Sequence, residues 1–410
     1  MPAFKRSRYF HVYLADQQIL DLESFLTGHL RFSVQQQLTA VSALTETESA
    51  LSVPELQGLG RVPSDRWVPL AELTSAGIEP ATLEGLAARG LLLSSSDAPP
   101  LPALRQREER LASAQWDATA AFYHFKAKQP GVIGVTDGHT VVDLEDVAAH
   151  SEENFSAFVE KNGPPPSAFH RRARVTAEAP IFELPLAIHQ GEFFDALRGR
   201  RTARAFDATR PLSSEELATI LYFTFGCHGY ARLSKDVVAI KRTSPSGGCM
   251  HPIEVYPLVL NVEGLPTGLY HYDTFQHALR RLEQPETSDL AKLAVEILAG
   301  QSFAGSAHVL LLMTARFERN FWKYRNNAKT YSVVLIDAGH LSQTCYLLCS
   351  HLGLGAFFSA AINAPVVERL LVLDGVTEGA IGVLGCGRPV TTTEDYGLEF
   401  KPFEPGKTEL

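Results

Sequence analysis

Apolar residues in this chain fall into short runs broken by glycine, proline and charged clusters, and the period of each run predicts an element. Residues 9–15, Tyr-Phe-His-Val-Tyr-Leu-Ala, have the aromatic and aliphatic composition of a strand. Leu83 and Leu86 stand three apart, Gly90 follows, and Leu91-Leu92-Leu93 comes next. That order predicts a helix, a glycine stop and a strand. Residues 103–128 predict a further helix with Leu104, Leu111, Trp116, Ala120 and Phe122 as its apolar positions. Residues 132–135 and 140–144 flank Asp137-Gly138, a hairpin pattern. Asn162-Gly163-Pro164-Pro165-Pro166 then breaks any regular element.

A second pattern starts near residue 190. Residues 193–200 predict a helix, and residues 213–225 predict another, opened by the capping box of Ser213 and Glu216. Strands are expected at 253–260, 268–272 and 380–387, and helices at 288–299 and 333–352. Residues 307–315 form an apolar run interrupted by His308, which fits a buried strand. Strands and helices interleave without a Gly-x-Gly-x-x-Gly fingerprint, so a Rossmann dinucleotide fold is not indicated. At 410 residues the chain is too long for one ordinary core. We expect an N-terminal domain at 1–165, a linker at 166–187 and a second domain at 188–410. The helix, glycine stop and strand around Gly90 follow the local grammar of a winged helix. That stretch carries Arg89 among several acids, which leaves peptide or protein docking and plain structural packing open and disfavours DNA.

Composition narrows the function classes. Hydrophobic content of 45% and charged content of 20% are globular values, and a net charge of −9 argues against wholesale nucleic-acid binding. The five cysteines, Cys227, Cys249, Cys345, Cys349 and Cys386, include no Cys-x-x-Cys pair, so reduced thiols in a cytoplasm are expected. Cys345 and Cys349 read as core thiols of one helix. Asp337 and His340 are too few ligands for a metal, so no metal site is expected. The basic N-terminus is not followed by an apolar core, and no apolar run reaches about 18 residues, so neither a signal peptide nor a membrane span is expected.

Four stretches carry candidate chemistry. Arg200, Arg201 and Arg204, with the hydroxyl of Thr202, offer planar forks that match a phosphate. Pro245-Ser246-Gly247-Gly248 forms a turn whose glycines let backbone approach a flat ligand, and His251-Pro252-Ile253-Glu254-Val255-Tyr256 pins it to a strand. Lys323-Tyr324 provides groups able to move a proton, and Lys329 with Tyr331 offers a second such pair. Gly385-Cys386-Gly387-Arg388-Pro389 leaves the last strand, either as a simple turn or with Arg388 as a further candidate for the same phosphate.

In this order the segments resemble the nitroreductase-like FMN enzymes, and more closely the SagB/ThcOx-type dehydrogenases of peptide natural-product maturation. The resemblance rests on Arg200-Arg201-Thr202-Ala203-Arg204-Ala205-Phe206, Pro211-Leu212-Ser213, Pro245-Ser246-Gly247-Gly248 and the strand from His251 to Tyr256. It continues in Gly268-Leu269-Tyr270-His271-Tyr272-Asp273, Lys323-Tyr324, Asp337-Ala338-Gly339-His340 and Leu352-Gly353-Leu354-Gly355. Together these span about residues 190–390. The resemblance implies an α+β sandwich, a homodimer and FMN at the dimer interface. It implies that Arg200, Arg201, Thr202, Arg204 and Arg388 hold the phosphate and ribityl chain, and that Pro245, Ser246, Gly247 and Gly248 lie along the ring. Lys323 and Tyr324 match the Lys-Tyr motif used in azoline oxidation. This chain departs from the family after that motif, where Arg325-Asn326-Asn327-Ala328-Lys329-Thr330-Tyr331 replaces the usual Gly and Arg-Ala-Tyr-Arg elements.

The expected activity is oxidation of a peptide thiazoline or oxazoline to the azole on a ribosomally made precursor peptide, with a cyclodehydratase as a candidate partner. Three other readings stay open at this point: desaturation of a peptide side chain, an NAD(P)H-dependent nitro- or quinone reductase, and a flavin-free scaffold that recruits the peptide.

Overall fold

A computed structural model describes residues 2–20, 32–128, 182, 184, 190–235, 237–283 and 285–390. The hairpin expected at Asp137-Gly138, the breaker at 162–166 and most of the linker lie outside the described residues.

The first half contains β1 (Ala3–Arg6), β2 (Phe10–Leu20), β3 (Phe32–Ser42), β4 (Thr47–Ala50), α1 (Val53–Arg61), β5 (Val68–Pro69), α2 (Leu70–Ser75), α3 (Pro80–Ala88) and β6 (Leu92–Ser94). α4 (Leu101–Ser113) and α5 (Ala118–Ala127) follow. β1 pairs antiparallel with β5 and β6, while β2, β3 and β4 form a second antiparallel sheet. The expected helix, glycine stop and strand are present. Leu83 and Leu86 are fully buried, and Gly90 has φ +70°. A Cβ on Gly90 would stand 2.7 Å from Ser42 Oγ, so both the backbone and the space there require glycine.

One expectation is corrected. Residues 103–128 are two helices, because Gln115 takes φ +61° and Asp117 caps a new helix by accepting from Thr119 N and Ala120 N. The bend drives Trp116 into the core, where it is 1% exposed.

The second half contains α6 (Glu192–Gly199), α7 (Ser214–Phe225), β7 (Gly229–Arg232), β8 (Val238–Lys241), β9 (Ile253–Val259), β10 (Gly268–Asp273), β11 (Ala278–Arg281) and α8 (Leu290–Ile297). It continues with β12 (Val309–Arg316), α9 (Phe317–Lys323), α10 (Lys329–His351), β13 (Gly355–Ser359), α11 (Ala364–Leu370) and β14 (Glu378–Gly387). Of these, α6, α7, α8, α10, β9, β10, β12 and β14 match the expected elements to within a few residues, whereas β7, β8, β11, β13, α9 and α11 have no counterpart among them. The capping box of Ser213 and Glu216 forms at the start of α7.

Six strands make one antiparallel sheet in the order β11-β10-β9-β12-β14-β13. Period-two alternation buries both of its faces. Ile253, Val255 and Val259 of β9, with Val309, Leu311 and Met313 of β12, join a cluster with α7 and α10. Leu258, Leu310 and Leu312 join the opposite cluster with α8 and α11. A strand covered on both faces reads as one continuous apolar run, and each fully buried leucine contributes about 2 kcal/mol.

The helix pair α4–α5 belongs to the first of these clusters, through Leu111, Trp116, Ala120 and Phe125. Trp116 Nε1 also donates to Val376 O at 2.9 Å, and Lys128 pairs with Glu368 at 2.8 Å. The same cluster holds Cys345, Cys349 and Cys386, whose sulfurs lie within 4.8 Å of one another. Helical spacing pointed to the first two, and β14 brings the third.

Candidate active site

The turn after β8 hangs from helix α10. Asp337 is 3% exposed on that helix. Its carboxylate accepts from Ser246 Oγ at 2.5 Å and from Gly247 N–H at 3.0 Å. Ser246 Oγ in turn accepts from His251 N–H at 2.8 Å, and His340 Nδ1 donates to Pro245 O at 3.3 Å. Asp337 and His340, set aside as a weak metal pair, therefore shape the turn. The signal in the sequence was a carboxylate on the inward face of an apolar helix, beside Val334, Ala338 and Leu341.

Packing around the turn requires both glycines. A Cβ on Gly247 would stand 2.1 Å from Val333 Cγ1. At Gly248, with φ +65°, it would stand 2.5 Å from Tyr324 Oη and 2.8 Å from Lys323 Nζ. The missing side chains make room for α10 and the end of α9. The turn is wedged between the two helices. α9 closes the wedge: Arg319 Nε donates to Met250 O at 2.8 Å, and Lys323 Nζ donates to Gly248 O at 3.0 Å. The structure thus brings together Pro245, Ser246, Gly247, Gly248, Lys323 and Tyr324. A groove of about 340 Å³ opens beside them, lined by Leu233, Val238, Met250 and Trp322 together with Gly248 and Lys323.

The second proton-moving pair is separated. Tyr331 is 7% exposed in the core, and its Oη lies 2.9 Å from His124 Nδ1. Burial raises its pKa, so it stays a neutral phenol. Lys329 is exposed at the start of α10.

Below the turn lies a cationic layer. Arg242 is 6% exposed and donates to Ile253 O at 3.0 Å. His251 is buried beside Arg242 and Arg319. Desolvation first, and these two charges second, lower its pKa to about 4.

The arginine stretch docks elsewhere on α10. Ala203 N–H donates to Ala356 O at 2.8 Å, which lays the segment along β13. The guanidinium of Arg200 lies over the Tyr346 ring at 5.5 Å, and that of Arg204 lies over Phe303 at 5.8 Å. Thr202 Oγ1 is 3.5 Å from Tyr346 Oη. Arg201 lines a cleft of about 550 Å³ with Tyr346, His351 and Pro389. Arg388 is engaged by Glu216 at 2.8 Å and by Pro211 O at 2.9 Å. Tyr346 follows Asp337 by nine residues, about two and a half helical turns and about 13 Å of rise. Within one chain, the arginine segment and the glycine turn therefore dock on opposite faces of the helix.

Comparison with known proteins adds three findings. Residues 197–388 match the Nitroreductase family. A protein of Methanocaldococcus jannaschii named as a nitroreductase, MJ1384, is 32% identical over 178 residues, covering 43% of this chain and 82% of its own length. Two peptide-processing proteins are also similar. The trifolitoxin-processing protein TfxB of Rhizobium leguminosarum bv. trifolii is 27% identical over 276 residues, 65% of this chain and 68% of that one. The microcin B17-processing protein McbC of Escherichia coli is 30% identical over 146 residues, 34% of this chain and 52% of that one.

Proposed function

The chain belongs to the nitroreductase family, and from that membership we propose that it is an FMN-dependent dehydrogenase that oxidises a peptide thiazoline or oxazoline to the aromatic azole. The observation that carries this reading is the meeting of Lys323 and Tyr324 with the Gly247-Gly248 turn. Similarity to two peptide-processing proteins supports a peptide substrate over a small nitro compound or quinone.

The residues fit the cofactor. Arg200, Arg201 and Arg204 gather positive charge in one short segment. Aromatic rings lie against the guanidinium groups of Arg200 and Arg204, and such groups match phosphate bidentately. Thr202 adds a hydroxyl, and Arg388, oriented by Glu216, supports the same region. The backbone of 245–248, fixed by Asp337, supplies a rigid edge for a planar ring. FMN held by these residues would supply the acceptor for the Cβ hydride of the azoline. Lys323 or Tyr324 takes the Cα proton, so the ring loses one proton and one hydride and gains a double bond. Close positioning by a rigid wedge supplies much of the acceleration in such transfers.

The site needs a second copy of the chain. The arginines and the turn sit on opposite faces of α10, so a homodimer lets the turn of one copy meet the arginines of the other. In this reading residues 1–165 form a winged-helix-like docking domain, 166–187 a linker and 188–410 the catalytic domain. The azoline itself must come from a cyclodehydration, which loses water from a Cys, Ser or Thr of the peptide.

Co-expression with a candidate precursor and cyclodehydratase tests the reading by mass spectrometry. The expected product is lighter by about 2 Da than the azoline peptide, by hydrogen bookkeeping. Lys323→Ala and Tyr324→Phe should keep bound flavin and lose this step. Normal turnover by both variants would remove the Lys-Tyr assignment. A protein that purifies colourless and takes up no FMN would remove the enzyme reading altogether.

A further inference from the structure

Tyr324 sits on a short exposed connection between α9 and α10, yet that connection is held on both sides. Tyr324 N–H donates to Asn320 O at 2.9 Å, and Thr330 Oγ1 donates to Tyr324 O at 2.9 Å. Asn326 N–H donates to Gln115 O at 3.1 Å, and Asn326 Nδ2 approaches Gln115 Oε1 at 3.4 Å. Both Gln115 and Asn326 have left-handed backbone, with φ of +61° and +49°. Neither is glycine, so each conformation costs energy that the surrounding contacts must sustain. Two such residues bonded to each other mark a contact imposed by packing.

The packing comes from the bend between α4 and α5. Trp116 places its ring 5.0 Å from Phe317 and 4.5 Å from Phe321 on α9, and 6.1 Å from Tyr331 on α10. About two turns beyond Trp116, on α5, His124 is 2% exposed. Its Nε2 faces Gly375 O at 3.1 Å. A carbonyl only accepts, so Nε2 carries the proton and Nδ1 accepts from the Tyr331 hydroxyl. Burial and the nearby Lys128 and Arg107 charges keep the ring neutral, in the state that accepts this bond. The first half of the chain thus grips the helix before Tyr324, the connection after it and the first turn of α10.

We infer that residues 115–124, through Gln115, Trp116 and His124, together with Tyr331, are positioning residues for Tyr324. The inference rests on the reading of Lys323 and Tyr324 as the catalytic pair. It gives residues 101–127 a second role besides any peptide docking: they fix the geometry of the proton-moving group. Tyr331 does not touch the reacting atoms in this arrangement and acts only through the Tyr324 connection.

A double-mutant cycle tests this, with FMN-loaded protein and a synthetic peptide carrying one thiazoline. Tyr331→Phe removes the hydroxyl and keeps the ring. It should lower kcat about tenfold, the scale of one buried hydrogen bond, while KM and flavin content stay unchanged. In a Tyr324→Phe background the same change should have little further effect, because nothing remains to be positioned. Amide exchange over residues 324–330 should accelerate in Tyr331→Phe, with residues 247–249 unaffected. Multiplicative losses in the double variant, or unchanged exchange over 324–330, overturn the inference. Full activity of Tyr324→Phe alone is a separate outcome: it removes the catalytic assignment on which the inference rests.

Discussion

At the scale of single residues, Gly248 is where backbone conformation and chemistry meet. Its φ of +65° favours glycine, and the direction of its absent Cβ is toward Tyr324 Oη and Lys323 Nζ. Gly248→Ala should cost about 1 kcal/mol of stability from the left-handed backbone alone. The larger effect falls on function. The far ends of two flexible side chains must move aside, and a displacement of about 1 Å in catalytic groups can cost about 100-fold in rate. The expected outcome is a folded, flavin-binding protein with kcat reduced by about 10- to 100-fold, read by steady-state assay beside a thermal melt. An active variant with only a lowered melting temperature would mean that Lys323 and Tyr324 do not act from this position.

At the scale of elements, local grammar was legible and long-range insertion was not. The capping box of α7, the glycine stop after α3 and the buried strand β12 all announce themselves through side chains near in sequence. β3 did not, because Gln35-Gln36-Gln37 interrupts any apolar alternation, and its 11 residues are held by register with β2 instead. The break at Gln115 was equally silent, since what bends the chain is the packing of Trp116 against Phe317 and Phe321. At the site, the glycine turn and Lys323-Tyr324 were each visible as motifs. Their contact, and the anchoring by Asp337, depend on how α9 and α10 close around the turn. The junctions between elements also set a pH response. His251 at the start of β9 and His124 on α5 are both buried in neutral form. A folded pKa below the unfolded value of about 6.5 means that the unfolded chain binds more protons in the intervening window. Stability is therefore full above about pH 6.5 and falls as pH drops toward about 4. Urea midpoints measured across this window should decline, and His251→Gln should flatten the decline. An unchanged slope would show that His251 is not held neutral.

At the scale of the whole molecule, α10 organises everything. Its residues Ser332, Leu335, Ile336, Gly339, His340 and Gln343 recur at helical spacing and are exposed, with Ile336 at 56% and Leu335 at 37%. Of these, Ile336, Gln343 and Ser332 lie between the face that holds the glycine turn and the face that holds the arginine segment, while His340 belongs to the turn side and Leu335 and Gly339 to the Tyr346 side. In the proposed homodimer a second copy seated there would cover the apolar residues and bring its turn to the first copy's arginines. Ile336→Glu should therefore yield monomers by size exclusion and lose flavin together with the dimer. Subunit complementation gives the sharper test. Arg201→Ala damages only the arginine side of a site, and Gly248→Ala damages only the turn side. If each site takes one side from each copy, a mixed dimer has one site with both defects and one site with neither. Co-expression of the two impaired variants should then bring activity to roughly a quarter of wild type above the residual activity of either alone, since random pairing makes half of the dimers mixed and each carries one intact site. If both sides came from the same chain, every site in the mixture would carry one defect, and co-expression would restore nothing.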